Sequence, residues 1–134
     1  MTTTESSVQA IVFKYEKPDV SSGKVHVPLA RTPIGSLKVQ VLEEGGENNL
    51  HSHNHRDGFW FVLAGRVRFY TTDDVLVAEL GKYEGIATPH GFPYWFEAVP
   101  GDETLEIIQI GANDNPTNAD ADRDDRNDLQ PPRV

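Results

Sequence analysis

Apolar and polar residues alternate along this chain in short runs, and no window sustains the periodicity of an amphipathic helix. The clearest run is "SLKVQVLEE", where Leu37, Val39 and Val41 fall on one face and Ser36, Lys38 and Gln40 on the other. A period of two is that of a half-buried strand. Runs of the same kind are "VQAIVFKY", "KVHVP", "NLHSH", "GFWFVLAG", "RVRFYTT", "VLVAEL", "GIATP", "PYWFEAV" and "TLEIIQIG". The clusters "PDVSSG", "EEGGEN", "GKYEG", "HGFP" and "PGDE" punctuate them as turns, and Asp73-Asp74 reads as a hairpin tip. About ten short strands with frequent turn signals predict an all-β sandwich or barrel over residues 8–111.

The two ends read differently. Residues 1–7 are small and polar and are expected to be loose. Residues 112–134, "ANDNPTNADADRDDRNDLQPPRV", hold no aromatic and almost no aliphatic residue, which predicts an acidic, disordered tail with too little surface to bury. Alternating Asp120, Asp122 and Asp124 hint at a calcium loop. However, Asp125 stands where that loop needs glycine, and its closing glutamate is missing.

Composition narrows the function. The length of 134 residues suits one domain with a real core. A net charge of -9 repels phosphate backbones and anionic lipid, so neither nucleic acid nor a membrane surface is an expected partner. The chain has no cysteine, which removes disulfides, thiolate nucleophiles and zinc-thiolate sites. The N-terminus lacks a basic region followed by an apolar one, and no apolar run approaches the roughly 20 residues that span a bilayer. A cytoplasmic protein is the expectation.

Chemistry concentrates in "NNLHSHNHRDGFWFVLAG". His51 and His53 are two residues apart in a strand-like stretch and so share a face. If that face is the barrel interior, two imidazoles converge in an enclosed space. Such a pair suits a metal or acid–base work, whereas an outward face would make it surface decoration. Ser52, between them, points the other way and is no nucleophile candidate.

The stretch resembles the first motif of the cupin family. Gly45 fills its opening glycine, His51 and His53 its two histidines, and Gly65 its closing glycine. The second motif is matched by Pro89 and Gly91 in "TPHGFPYWFEA". The resemblance covers roughly residues 37–110 and implies an antiparallel jelly-roll β-barrel with a central ligand cavity. Several positions depart from it. The motif glutamate falls on Gly58, with Asp57 in the neighbouring register. The last motif histidine falls on Tyr94 and its asparagine on Ala98. The opening glycine of the second motif falls on Tyr83.

Three functions stay open. In the first, His51 and His53 hold iron, manganese, nickel or zinc, with Asp57 as the carboxylate if a bulge turns it inward. That arrangement suits a dioxygenase or isomerase. The second follows metal-independent cupin-like sugar-nucleotide epimerases and ketoisomerases: His51 or His53 is the base and Tyr94 the acid, serving deprotonation next to a ketone. The third is a non-enzymatic small-molecule binder. A further spacing, His55, Asp57 and His90, matches the facial triad of 2-oxoglutarate oxygenases, but His55 and His90 read as loop and turn positions.

Other features have plainer readings. Trp60 shares parity with Gly58, so an inward glycine followed by an inward tryptophan would exchange ligand capacity for space and an aromatic wall. Arg66 and Arg68 read as the exposed side of a strand; turned inward, they would favour an anionic substrate. His26 reads as an edge residue. Surplus apolar surface near Trp95, Phe59 and Phe61, together with the resemblance, implies a homodimer.

Overall fold

The structure is a computed structural model that describes residues 8–20, 23–101, 103–114 and 122–133. Among these described residues ten strands are seen: β1 Lys24–Arg31, β2 Gly35–Leu42, β3 Gly46–His53, β4 Arg56–Ala64, β5 Val67–Tyr70, β6 Leu76–Leu80, β7 Gly85–Thr88, β8 Tyr94–Ala98, β9 Leu105–Asn113 and β10 Arg123–Asp125. They form two five-stranded antiparallel sheets, ordered β1-β2-β9-β4-β7 and β10-β3-β8-β5-β6. The expected jelly roll is the fold observed. The hairpin tip is where the pattern put it, with Asp73 and Asp74 both at positive φ in a single 3-10 turn. Among the described residues no helix is long and apolar enough to cross a membrane.

The sheets close on a core of alternate strand residues. Trp60, Val62, Phe69, Phe96, Leu105 and Ile107 are at most 3% exposed. The rings of Phe69 and Phe96 each lie within 5.6 Å of Trp60, tilted or edge-on, the geometry aromatic quadrupoles prefer. Towards β10 and the far end of β2, the inward positions turn polar: Lys38, Gln40, Gln109, His51 and His53. That polar end of the barrel positions the site.

The first predicted strand is not one. Residues 8–20 form no strand and lie outside both sheets. Tyr15 donates its hydroxyl to Glu106 at 2.6 Å, and Glu106 lies directly opposite Val41, so this segment runs over the outer face of β2 and β9. Val39 and Val41, on that outer face, are buried although they point away from the interior. An alternating pattern cannot separate a face covered by a strap from one facing the core.

The expected barrel boundary and disordered tail also need correcting. β9 runs on to Asn113, and β10 pairs with β3 through Arg123–His53, Asp124–Ser52 and Asp125–His51. Backbone bonds extend the contact: Asn54 N–H donates to the Asp122 carbonyl, and Arg126 N–H to that of Leu50. Composition counted only apolar area, but β3 would otherwise be a sheet edge with unpaired backbone groups, and the acidic segment supplies partners for them. Further along, the Arg133 guanidinium lies 4.4 Å over the Trp95 ring, which also stacks on Tyr70 and donates to Asp74. Trp95 is therefore 6% exposed, covered by its own chain and not left for a partner. Residues 1–7 and Asp120 of the calcium-like spacing lie outside the described residues.

Candidate functional site

The polar end of the barrel encloses about 220 Å³, lined by His51, His53 and Tyr94 with Lys38, Glu47, Arg56, Trp60, Gln109, Asp122 and Arg123. β3 carries both histidines inward, and the Glu47–His51 stretch is irregular, which brings His51 directly opposite Tyr94 on β8. The ring centroids are 4.5 Å apart for His51–Tyr94, 5.2 Å for His51–His53 and 6.3 Å for His53–Tyr94. Three of the sequence-predicted site residues thus share one wall.

Hydrogen bonds fix the proton on each imidazole. His53 Nδ1 is 2.5 Å from Asp122 Oδ2, and a carboxylate only accepts, so Nδ1–H donates to it. Arg56 Nη2–H then donates to His53 Nε2 at 2.9 Å. His51 Nδ1–H donates to the Asn49 carbonyl at 2.9 Å, which leaves its Nε2 lone pair free of that bond. Asp122 is fixed in turn by the His55 backbone N–H at 2.8 Å.

Burial disfavours charge on both rings. It lowers the His51 pKa to about 4, partly offset by the bond to Asn49. His53 is also lowered, by burial and then by the Arg56 guanidinium, against the opposing pull of Asp122. Burial raises Tyr94 to about 12. At neutral pH the site therefore presents two uncharged imidazoles and an intact phenol. Burial also works against the Glu47 and Asp122 carboxylates, but the Arg123 bond to Glu47, and the His55 N–H and His53 bonds to Asp122, hold both below the usual range.

Asp57 is not brought to this wall. It pairs in register with Ala112, its side chain is exposed, and its Oδ1 accepts from His90 Nδ1–H at 2.8 Å and from the His90 backbone at 2.9 Å. The irregularity in β4 falls between Val62 and Ala64, too far along to turn it inward. His55 pairs instead with Asp114 at 3.0 Å, so His55, Asp57 and His90 do not assemble a triad. Arg66 and Arg68 are on the outside, both bonded to Glu79.

A metal, as the family resemblance implies, would need its ligands from these donors. Among the described residues no three His, Cys, Asp or Glu side chains are placed to hold one ion. The His53 lone pair is capped by a guanidinium, and Tyr94 is pushed away from the phenolate a metal would need. Gly58, at the motif glutamate position, has no room for that residue: a Cβ there would lie 2.6 Å from Thr88 Oγ1 and 3.1 Å from Trp60 Nε1. Trp60 donates to Thr88 at 3.1 Å, so glycine and tryptophan have replaced the carboxylate with a packed aromatic wall. The residues present do not fit a metal.

Lys38, Glu47, Arg56, Gln109, Asp122 and Arg123 were not legible as site residues. Lys38 sits on the polar face of β2, which an amphipathic reading sends to solvent. Asp122 arrives from 69 residues beyond His53.

A sequence model of the cupin family matches residues 12–126, and this chain belongs to that family. The match runs through β10, the segment that composition had set aside. Solved structures similar to this one include an uncharacterised double-stranded β-helix protein from Klebsiella pneumoniae, at 18% identity and TM-score 0.64, covering 82% of this chain and 84% of that one. KdgF from Halomonas gives 17% and 0.61, covering 78% and 96%. Pac13 from Streptomyces, described as a nucleoside dehydratase, gives 13% and 0.62, covering 87% and 89%. At these identities the likeness is one of fold. A search of curated proteins by sequence gives no match.

Proposed function

We propose that this cupin binds a small carbonyl compound and moves a proton at the carbon beside the carbonyl, with His53 as base and Tyr94 as hydrogen-bond donor. The observation that carries the reading is His53 held by Asp122, with its Nε2 at the cavity wall under Arg56 and a buried phenol beside it on the neighbouring strand. His53 Nε2 takes the proton. The C–H pair becomes a C=C bond, and the carbonyl pair moves onto oxygen, which the Tyr94 hydroxyl stabilises as an enolate. Asp122 stabilises the imidazolium so formed, a charge that burial alone would oppose. Where the α-carbon bears a hydroxyl, that hydroxyl passes its proton to the enolate oxygen and becomes the new carbonyl as the abstracted proton returns to the former carbonyl carbon, which isomerises the ketone. Delivering it to a hydroxyl on the next carbon expels water. Pac13, a dehydratase on this fold whose tyrosine and histidine variants were solved with uridine, is consistent with the second outcome.

His51 serves as a neutral neighbour that adds no charge beside His53 when the proton arrives. Two copies pair through the outer face of β4 and β9, where Phe59, Phe61 and Ile110 are over 40% exposed.

The test is proton exchange in heavy water with pyruvate and with dihydroxyacetone phosphate, followed by proton NMR. Exchange above the buffer rate is expected, and Tyr94→Phe and Asp122→Asn should each reduce it by about a hundredfold. No exchange with either compound, or full exchange in Tyr94→Phe, contradicts the reading.

A further inference from the structure

The protein is acidic, yet its cavity wall is not. Three cations line it, Lys38, Arg56 and Arg123, against two carboxylates, Glu47 and Asp122. The carboxylates are already engaged. Glu47 takes Arg123 at 2.8 Å, and Arg123 is further held by Asp125 at 2.9 Å. Asp122 takes His53, and Arg56 Nε reaches it only at 3.9 Å. Lys38 has no carboxylate within 4.0 Å among the described residues; its contact is His26 Nδ1 at 3.4 Å. Two cations therefore face the cavity without full neutralisation, in a chain of net charge -9.

Their placement is built into the fold. Lys38 is on β2 and Arg56 on β4, and β9 runs between these strands. Gly111 on β9 leaves the space in which the Arg56 stem lies: a Cβ there would come within 2.7 Å of Arg56 Cδ. Lys38 and Arg56 line the same cavity, and burial, then the charge of Arg56, lowers the Lys38 pKa. Like charges held together in a part-buried cavity are costly unless something anionic joins them. Guanidinium also prefers a carboxylate or phosphate fork over the single imidazole nitrogen it meets here.

We propose that the cavity takes a small molecule carrying a carboxylate or phosphate group, received jointly by Lys38 and Arg56, and that this group draws Arg56 off His53 Nε2. The first half stands on the charges alone. The second rests on the reading of His53 as base: the guanidinium that blocks the lone pair in the free protein is the group the substrate engages, so the base is exposed only when the anion is seated. The substrate class is then a small carbonyl acid or a carbonyl phosphate. Selection against neutral analogues is enforced twice, in binding and in release of the base.

Calorimetric titration with pyruvate, pyruvamide and inorganic phosphate tests this on the intact chain. Pyruvate or phosphate should bind at least about tenfold tighter than pyruvamide, and Lys38→Gln and Arg56→Gln should each remove about tenfold of that affinity. Pyruvate binding without phosphate binding assigns a carboxylate, and the converse assigns a phosphate. Gly111→Ala, which leaves every charge in place but crowds the Arg56 stem, should also weaken the anion. Equal binding of pyruvamide, no binding of either anion, or unchanged affinity in a folded Lys38→Gln protein overturns the proposal. Anion binding without proton exchange would instead retain the cation pair and remove the reading of His53 as base.

Discussion

Replacing Asp122 by Ala should cost far more than any other change in the C-terminal segment. Its carboxylate is 4% exposed and accepts two strong bonds, from His53 Nδ1–H at 2.5 Å and from the His55 backbone N–H at 2.8 Å. Hydrogen bonds to a charged group contribute roughly 1.5–3 kcal/mol each, and the two share one acceptor, so a loss of about 3 kcal/mol is expected. Two donors at the mouth of the site would be left unpaired, and water can replace the carboxylate only in part. With a urea m-value of roughly 2 kcal/mol per molar, the unfolding midpoint should fall by about 1.5 M. Asp124→Ala and Asp128→Ala, whose side chains are more than half exposed, should stay within about 0.5 kcal/mol. Unfolding followed by tryptophan fluorescence reads all three. A loss under about 1 kcal/mol for Asp122→Ala would refute the docking of this segment on β3 and, with it, the support claimed for His53.

Other consequences can be checked on the same footing. Because burial lowers the His51 pKa to about 4, the unfolded chain binds more protons than the folded one between that value and about 6.5. Stability should therefore be full above about pH 6.5 and fall by up to about 3 kcal/mol on acidification towards pH 4, with His53 adding in the same direction and His51→Asn flattening the slope. A stability flat across that window would contradict the burial of His51. Gly58→Glu, which restores the family residue, should destabilise by about 3 kcal/mol through collision with Thr88 and Trp60, and zinc titration should show no site created. Phe61→Glu should convert a dimer to a monomer by light scattering while leaving proton exchange unchanged; a wild-type monomer at micromolar concentration would remove the pairing proposal.

The β-barrel was legible because alternation and turn chemistry agree along β2 to β9, and because Gly45, His51, His53 and Gly65 resemble a family motif in the right order. That His51 and His53 share a face was legible from their spacing, while the expectation that this face is the inner one, and the place of Tyr94, came from the family resemblance. Asp57 misled because its type suits a ligand while its register sends it outward to His90. The cations were hidden by the same rule that found the strands. A polar residue on an alternating strand is read as solvent-facing, yet here the polar face of β2 at Lys38 and Gln40 is the inner one. Asp122 and Arg123 were hidden for another reason. Their segment docks by completing a backbone ladder and by ion pairs, neither of which a count of apolar residues detects.

The protonation state of His53, read by nitrogen NMR of the imidazole ring near neutral pH with and without pyruvate, tests its role as base. A neutral ring with its proton on Nδ1 is expected in the free protein. Its Nε2 resonance should move as Arg56 leaves, and its pKa should rise when the anion is bound and fall again in Asp122→Asn. A proton on Nε2 in the free protein, or a His53 pKa indifferent both to pyruvate and to Asp122→Asn, would contradict that role.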